Sequence, residues 1–286
     1  MTVTAEMVKT LRERTGLGMM ACRKALLETE GDMDKAVELL RKKGELKAAK
    51  KAERGTGEGS IAVHISDDAT TAAMVEVNCE TDFVARNPEF RTIVEGLASR
   101  AAGWDFEGVV EDITKFDPDG LISSQMTQII SKLGENMLFR RAARITSNIG
   151  ITGYYVHTNY KIGVLLELEC PESARGDDAV RALAKDLCMQ AASLNAICVA
   201  RDEVPGEIVE KEREIYREQI KDKPADIQNK IIDGKLNAFY KENVLLEQPF
   251  IKEQKVTVSK HIESVGKSVG GPLAVRRFTR FIVGRD

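Results

Sequence analysis

The absences in this sequence narrow its reading first. Its 286 residues include five cysteines (Cys22, Cys79, Cys170, Cys188, Cys198), scattered, odd in number and without a CxxC pair. That excludes a disulfide framework and predicts reduced, mostly buried thiols in a cytoplasmic protein. The three histidines, His64, His157 and His261, stand too far apart for metal-ligand spacing. No apolar run is long enough to span a bilayer, and the polar start (Thr2, Thr4, Glu6) does not read as a signal peptide. Neither sign of charge dominates: 42 Lys and Arg face 45 Asp and Glu, a net charge of −3, so no global excess points to nucleic acid or a membrane.

Catalytic groupings are missing as well. There is no GxSxG elbow and no Gly-rich loop followed by Lys-Ser or Lys-Thr to cradle phosphates. Glu76 and Glu80 resemble a carboxylate pair, but a strand separates them poorly for shared work, and a solvated sheet face accounts for Glu76. His157, beside Tyr155 and Tyr160, lacks the partner that a general base needs; recognition residue and sheet-edge filler fit it equally. The residues therefore argue against an enzyme and for a binding protein built of several parts.

What is present is an ordinary folding composition, 30% charged and 43% hydrophobic. Residues 1–44 read as a three-helix docking domain. Thr4 caps a helix carrying Met7, Val8 and Leu11; a second, from Met19, carries Cys22, Ala25 and Leu26; Asp32 caps a third with Ala36, Val37, Leu39 and Leu40, which Gly44 stops. Met19 and Met20, at a helix start, suit an adaptable contact; the competing reading buries one of them and leaves the other as plain surface. Residues 45–59 read as a linker. Lys47, Lys50, Lys51 and Arg54 make it basic, three glutamates dilute that charge, and without aromatics to stack on bases it reads as a solvated tether.

From residue 60 the apolar period changes to two. Ile61, Val63 and Ile65, then Ala73, Val75 and Val77, predict a hairpin with one face buried, turning at Asp67-Asp68. The stretch Thr81-Asp82-Phe83-Val84-Ala85-Arg86-Asn87 connects this hairpin to a helix that Asn87 caps and Pro88 opens. It sets an acid and a large ring side by side between rigid elements, where binding groups are commonly placed. Phe83 is either such a group or an anchor folded under its own helix.

A second helix and a strand (136–145) complete a unit over 60–147. The plan then repeats over 148–203: Tyr154 and Val156, Val164, Leu166 and Leu168, then Cys170, which stands 91 positions after Cys79, then a helix through Val180, Leu183 and Leu187. At this offset Ser173 and Ala174 stand for Asp82 and Phe83, so the second copy forms without the ring. Residues 204–245 predict two charged helices in an antiparallel hairpin, either projecting as an interaction arm or packed on the sheets. Residues 246–286 add a helix and the missing edge strand of the second sheet. The predicted class is α+β, with two related antiparallel-sheet and helix subdomains.

Several segments, in order and spacing, resemble bacterial translation elongation factor Ts: RTGLGMMACRKAL, VNCETDFVARN, KLGENM with Arg140 and Arg141, HTNYKIGV, LLEQPF and FTRFIVG. The resemblance implies a UBA-like N-terminal domain and a non-enzymatic exchanger of guanine nucleotide on elongation factor Tu, with no cofactor of its own and no direct contact with nucleic acid or membrane. It places Thr81, Asp82, Phe83 and Val84 at the GTPase magnesium site, the ring wedging in so that Mg²⁺ leaves. Arg12, Met19, Met20 and His157 would grip a helix beside the guanine pocket. The arm would touch the partner or a second copy, leaving one-to-one and two-to-two complexes, or a homodimer, open. The alternative is an RNA- or ribosome-binding protein using the linker with Arg140, Arg141 and Arg144, although those arginines also suit acids within the sheet.

Overall fold

The computed structural model describes residues 3–285. Helix α1 (Ala5–Thr15) is capped by Thr4, whose hydroxyl accepts the Met7 amide at 3.2 Å, and ends at Gly16 in the left-handed region (φ 67°). Helices α2 (Met19–Glu28) and α3 (Met33–Ala49) complete the triad around Val8, Leu11, Cys22, Leu26, Ala36 and Leu40. Asp32 caps α3, but Gly44 does not end it. Glycine inside a helix costs ~1 kcal/mol relative to Ala. Here it lies against Thr127 and Ser131 of another helix, and α3 runs on through five residues read as tether.

Strands β1 (Glu58–Ile65) and β2 (Thr71–Cys79) form the first hairpin. A single helical turn, α4 (Asp82–Ala85), and α5 (Pro88–Ala102) follow, then β3 (Gly108–Val110), α6 (Leu121–Leu133) and β4 (Met137–Thr146). The sheet order is β1-β2-β4-β3. Edge strand β3 was not legible beforehand: three residues show no period. The segment around it is held by aromatics, Trp104 stacking on Phe116 at 5.1 Å and meeting Phe106 and Phe139.

The second unit has β5 (Gly150–Val156), β6 (Ile162–Glu169) and α7 (Asp178–Ser193). Helices α8 (Gly206–Gln219) and α9 (Ala225–Asn243) form the hairpin. Its seam consists of Ile220, Ile232 and Leu236 with Tyr216 and Tyr240, and its base of Cys198, Val204 and Val244. A two-stranded ribbon, β7 (Pro249–Phe250) with β8 (Glu253–Thr257), precedes α10 (Val258–Ser268) and β9 (Ala274–Ile282). As predicted, β9 joins the second sheet, ordered β5-β6-β9. The chain is α+β.

The expectation of one buried face per hairpin is too modest. On β2, Ala73, Val75 and Val77 pack under α5 and α6, while Ala72 and Met74 meet Ile61, Ile145, Leu165 and Phe281 between the two sheets. Helix α7 covers the far side of the second sheet through Val180, Leu183 and Leu187. The layers run helix, sheet, sheet, helix, and every β2 residue after Thr71 is buried.

Glu76 therefore does not face solvent; it is fully buried between the sheets. Arg141 Nε donates to its Oε2 at 2.8 Å, while Asn78 Nδ2 and the Gly284 amide donate to Oε1 at 3.1 and 3.0 Å. Arg141 also lies 4.2 Å over the Phe281 ring and donates to the Arg285 carbonyl at 2.6 Å. The second sheet repeats this pair: Arg277 Nε meets Glu167 at 2.8 Å. Glu167 stands 91 positions after Glu76, and each glutamate sits beside a register shift, Glu76/Val77 and Glu167/Leu168. Gly59 and Gly150, again 91 apart, face the carbonyls of Val77 and Leu168 so closely that a Cβ would stand 2.4 and 2.0 Å away. The duplication read from Cys79 and Cys170 is thus present as geometry. Removing one partner of a buried ion pair strands the other charge, so Arg141→Ala should lower the unfolding free energy by about 3–5 kcal/mol in urea titrations.

Candidate functional site

The segment after β2 folds as a turn of helix rather than an open loop. Thr81 is extended (φ −127°, ψ 158°), and its hydroxyl accepts the Val84 amide at 3.4 Å, starting α4. Six residues on, the Asn87 side chain accepts the Glu89 amide at 2.8 Å and starts α5, with Pro88 in its first turn as predicted. Val84 and Ala85 point into the core, which throws Phe83 outward, 83% exposed. The anchor reading of Phe83 fails. Burial is the usual fate of Phe, and here the inward positions of the turn are already filled by smaller neighbours. In the second unit the matching segment is a tighter 3₁₀ turn, Glu172–Ala174, whose Ala174 is buried. Ala174 thus does the core-filling of Val84 and Ala85, and no ring points outward there.

Asp82 pairs with Arg86 at 3.0 Å across its own turn. Thr81 is held from outside. Its amide donates to Glu135 Oε2 at 3.0 Å and its hydroxyl to Glu135 Oε1 at 2.6 Å. The neighbouring carboxylate works in the opposite direction: Glu80 Oε1 accepts the Asn136 amide at 2.6 Å. Asn136 also donates to the Arg54 carbonyl at 2.8 Å, and Arg54 pairs with Glu80 at 3.4 Å. Beneath this junction the Cys79 thiol donates to the Thr81 carbonyl at 3.2 Å, and burial first, then the charges of Glu135 and Glu58, push its pKa to about 12. Glu80 and Glu135 escaped sequence reasoning as positioning groups, since the bonds join residues 56 and 54 positions apart and leave no periodic trace. Their signal was the pair of strings ETDFV and GENM, each with a carboxylate at a tight turn.

Of the other predicted residues, Arg12 is exposed on α1. Met19 and Met20 are 55% and 74% exposed at the start of α2, so neither takes the core place allowed to one of them; Cys22 and Leu26 fill it. His157 is exposed after β5, its Nδ1 2.9 Å from the Tyr155 hydroxyl, a partner that orients the ring. The first turn of α5 connects these segments. Its Glu89 pairs with Lys132, whose side chain lies against Gly16, shortly before Met19. Its Arg91 sits 4.0 Å over the ring of Tyr160, in the turn that holds His157. The fold thus gathers onto neighbouring elements groups that lie far apart in the chain.

The arginines of the nucleic-acid alternative are occupied. Arg140 pairs with Glu111 at 3.1 Å, Arg141 with Glu76 and Arg144 with Glu107 at 3.5 Å. Among the described residues no cluster of three or more His, Cys, Asp or Glu could hold a metal ion, and no helix is long and apolar enough to cross a membrane. All five cysteines are buried. Thiol titration with an aromatic disulfide at pH 8 should therefore find essentially no reaction in the native protein and all thiols on adding guanidinium, because the reagent must reach a sulfur and the fold covers all five.

The sequence model of the elongation factor TS family matches residues 80–285. The curated elongation factor Ts of Clostridium botulinum strain Alaska E43 is 43% identical over 98% of this chain and 92% of its own length. That of Clostridium kluyveri is 42% identical over 99% and 93%, and that of Clostridioides difficile 44% identical over the same shares. With that model matched over most of its length and relatives 42% to 44% identical over nearly all of it, the chain belongs to the elongation factor Ts family.

Proposed function

We propose that this translation elongation factor acts as a guanine nucleotide exchange factor: it binds elongation factor Tu carrying GDP, displaces the Mg²⁺ and releases the nucleotide so that GTP can enter. The observation that carries this reading is a Phe ring almost fully in water, mounted on a helical turn capped by Thr81 and riveted to a second loop. A ring held outside its own core is stabilised only when a partner covers it. Entry of Phe83 into the GTPase supplies ~1.5–3 kcal/mol. Mg²⁺ bridges phosphate oxygens and is a large share of the local positive charge on the nucleotide. A factor that binds best to a GTPase whose magnesium site is distorted must weaken the nucleotide by the same factor that the nucleotide weakens it.

One ring is too little for strong exchange, so further contacts share the work. Arg12, Met19 and Met20 grip the GTPase from the docking domain and His157 from the second unit, while Asp82, tied to Arg86, keeps the turn in shape. No catalytic residue is invoked: the cycle makes and breaks no covalent bond on this chain. The α8–α9 arm leaves Ile208, Ile215 and Ile227 exposed and contacts the GTPase or a second copy, which decides between a one-to-one and a two-to-two complex. Action on a translational GTPase places the protein in the cytoplasm.

Stopped-flow release of a fluorescent GDP analogue tests this directly. Phe83→Ala should slow factor-promoted release about ten- to a hundredfold, with unchanged helical circular dichroism. An unchanged rate overturns the wedge. Chelating Mg²⁺ should narrow the gap between the two proteins, because the ring then has no ion to displace.

A further inference from the structure

We propose that Glu135 is a positioning residue for nucleotide exchange, acting through Thr81 to hold the turn that presents Phe83. This rests on the reading of Phe83 as the displacing ring. Helix α4 is four residues long, and a lone helical turn has no stability of its own, since nucleation fixes several dihedrals for a single hydrogen bond. Something outside it must set its direction. Val84 and Ala85 hold it from below, and Glu135 holds Thr81, the residue that caps it, by both polar groups, the backbone amide at 3.0 Å and the hydroxyl at 2.6 Å.

The proton count shows why a carboxylate suits this place. The Thr81 hydroxyl must present a lone pair to the Val84 amide to cap the turn, so its single proton has to go elsewhere. Glu135, acceptor on both oxygens, takes that proton and the Thr81 amide together. The hydroxyl rotor, and with it the cap, is therefore set from outside the turn. Glu135 in turn leaves α6 directly after Gly134, which closes that helix in the left-handed region (φ 85°), its amide bonded to the Ile130 carbonyl at 3.0 Å. The bond from Glu80 to the Asn136 amide at 2.6 Å, in the opposite sense, keeps the two loops from sliding. Helix α6 also carries Lys132, the partner of Glu89 in the first turn of α5, so the mount is tied on both sides of Phe83.

A double-mutant cycle tests this, read as the rate of fluorescent GDP release from elongation factor Tu at saturating factor. Loss of two charge-assisted hydrogen bonds should make Glu135→Ala about tenfold slower than wild type. Glu135→Gln, which keeps a carbonyl for the Thr81 amide but turns an N–H toward the hydroxyl and leaves its proton without an acceptor, should recover only part of the rate. If Glu135 acts through the ring, adding Glu135→Ala to Phe83→Ala should cost little more than Phe83→Ala alone. Multiplying effects would mean that Glu135 acts independently, and would overturn the proposal. So would a wild-type rate for Glu135→Ala beside a slow Phe83→Ala, an outcome that leaves the wedge standing. A wild-type rate for Phe83→Ala would instead remove the wedge and this proposal with it. Should Glu135→Ala lose its circular dichroism signal, Thr81→Val, which removes the hydroxyl with both its bond to Glu135 and its cap on Val84, enters the same cycle, with the same criterion.

Discussion

Glu76 carries a negative charge between two sheets, and everything around it is arranged to hold that charge: a guanidinium, an asparagine amide and a backbone N–H. Burying an ion pair is expensive, and hydrophobic side chains of equal volume often hold a core as well. What such a pair adds is a demand for one arrangement. Arg141 reaches Glu76 only in the observed register of β2 against β4, and the Gly284 amide reaches it only when the end of β9 closes over the first sheet. A slip by one residue would turn every side chain of a strand to the wrong face. Glu167 and Arg277 impose the same demand on β6 and β9, and Arg277 reaches back to Glu107 of the first unit at 2.6 Å. The two halves of the duplication are thus fastened by matching pairs at matching positions.

The site depends on that frame. Once β2 is fixed, its end delivers Cys79 and Glu80 to one place, and β4, paired beside it, brings Glu135 and Asn136 to meet them. Thr81, Val84 and Ala85 are satisfied by the fold, and the Phe83 ring beside them has no place left inside. The exposure of Phe83 is therefore a consequence of well-made neighbours. The two units part at this point. Where the first has a full helical turn with an outward ring, the second has a 3₁₀ turn and a buried Ala174. A duplicated frame carries its wedge on one side only.

Much of this was legible beforehand, because it is written locally. Asn87 and Pro88 announce the start of α5, the alternation of Ile61, Val63 and Ile65 announces β1, and the 91-residue spacing from Cys79 to Cys170 announces the repeat. Other features were misread where a distant neighbour overrides a local preference. Gly44 reads as a helix stop, but packing against Thr127 and Ser131 carries α3 through it. Glu76 reads as solvated, since charge in a strand usually is, and only the opposing sheet and Arg141 make it core. Strand β3 and the ribbon β7-β8 are too short to show a period at all.

By itself, then, the sequence determined the order of the longer helices and strands, the α+β class, the duplication and the presence of TDFV between a hairpin and a capped helix. Caps, turns and periods act over a few residues, so a few residues reveal them. Only the tertiary structure decided that Phe83 faces water, that both Met19 and Met20 are exposed, and that Glu135 grips Thr81 from 54 positions away. Exposure and long-range hydrogen bonds are properties of what packs opposite a residue. That is set by how the sheets meet, and no stretch of the chain contains it alone.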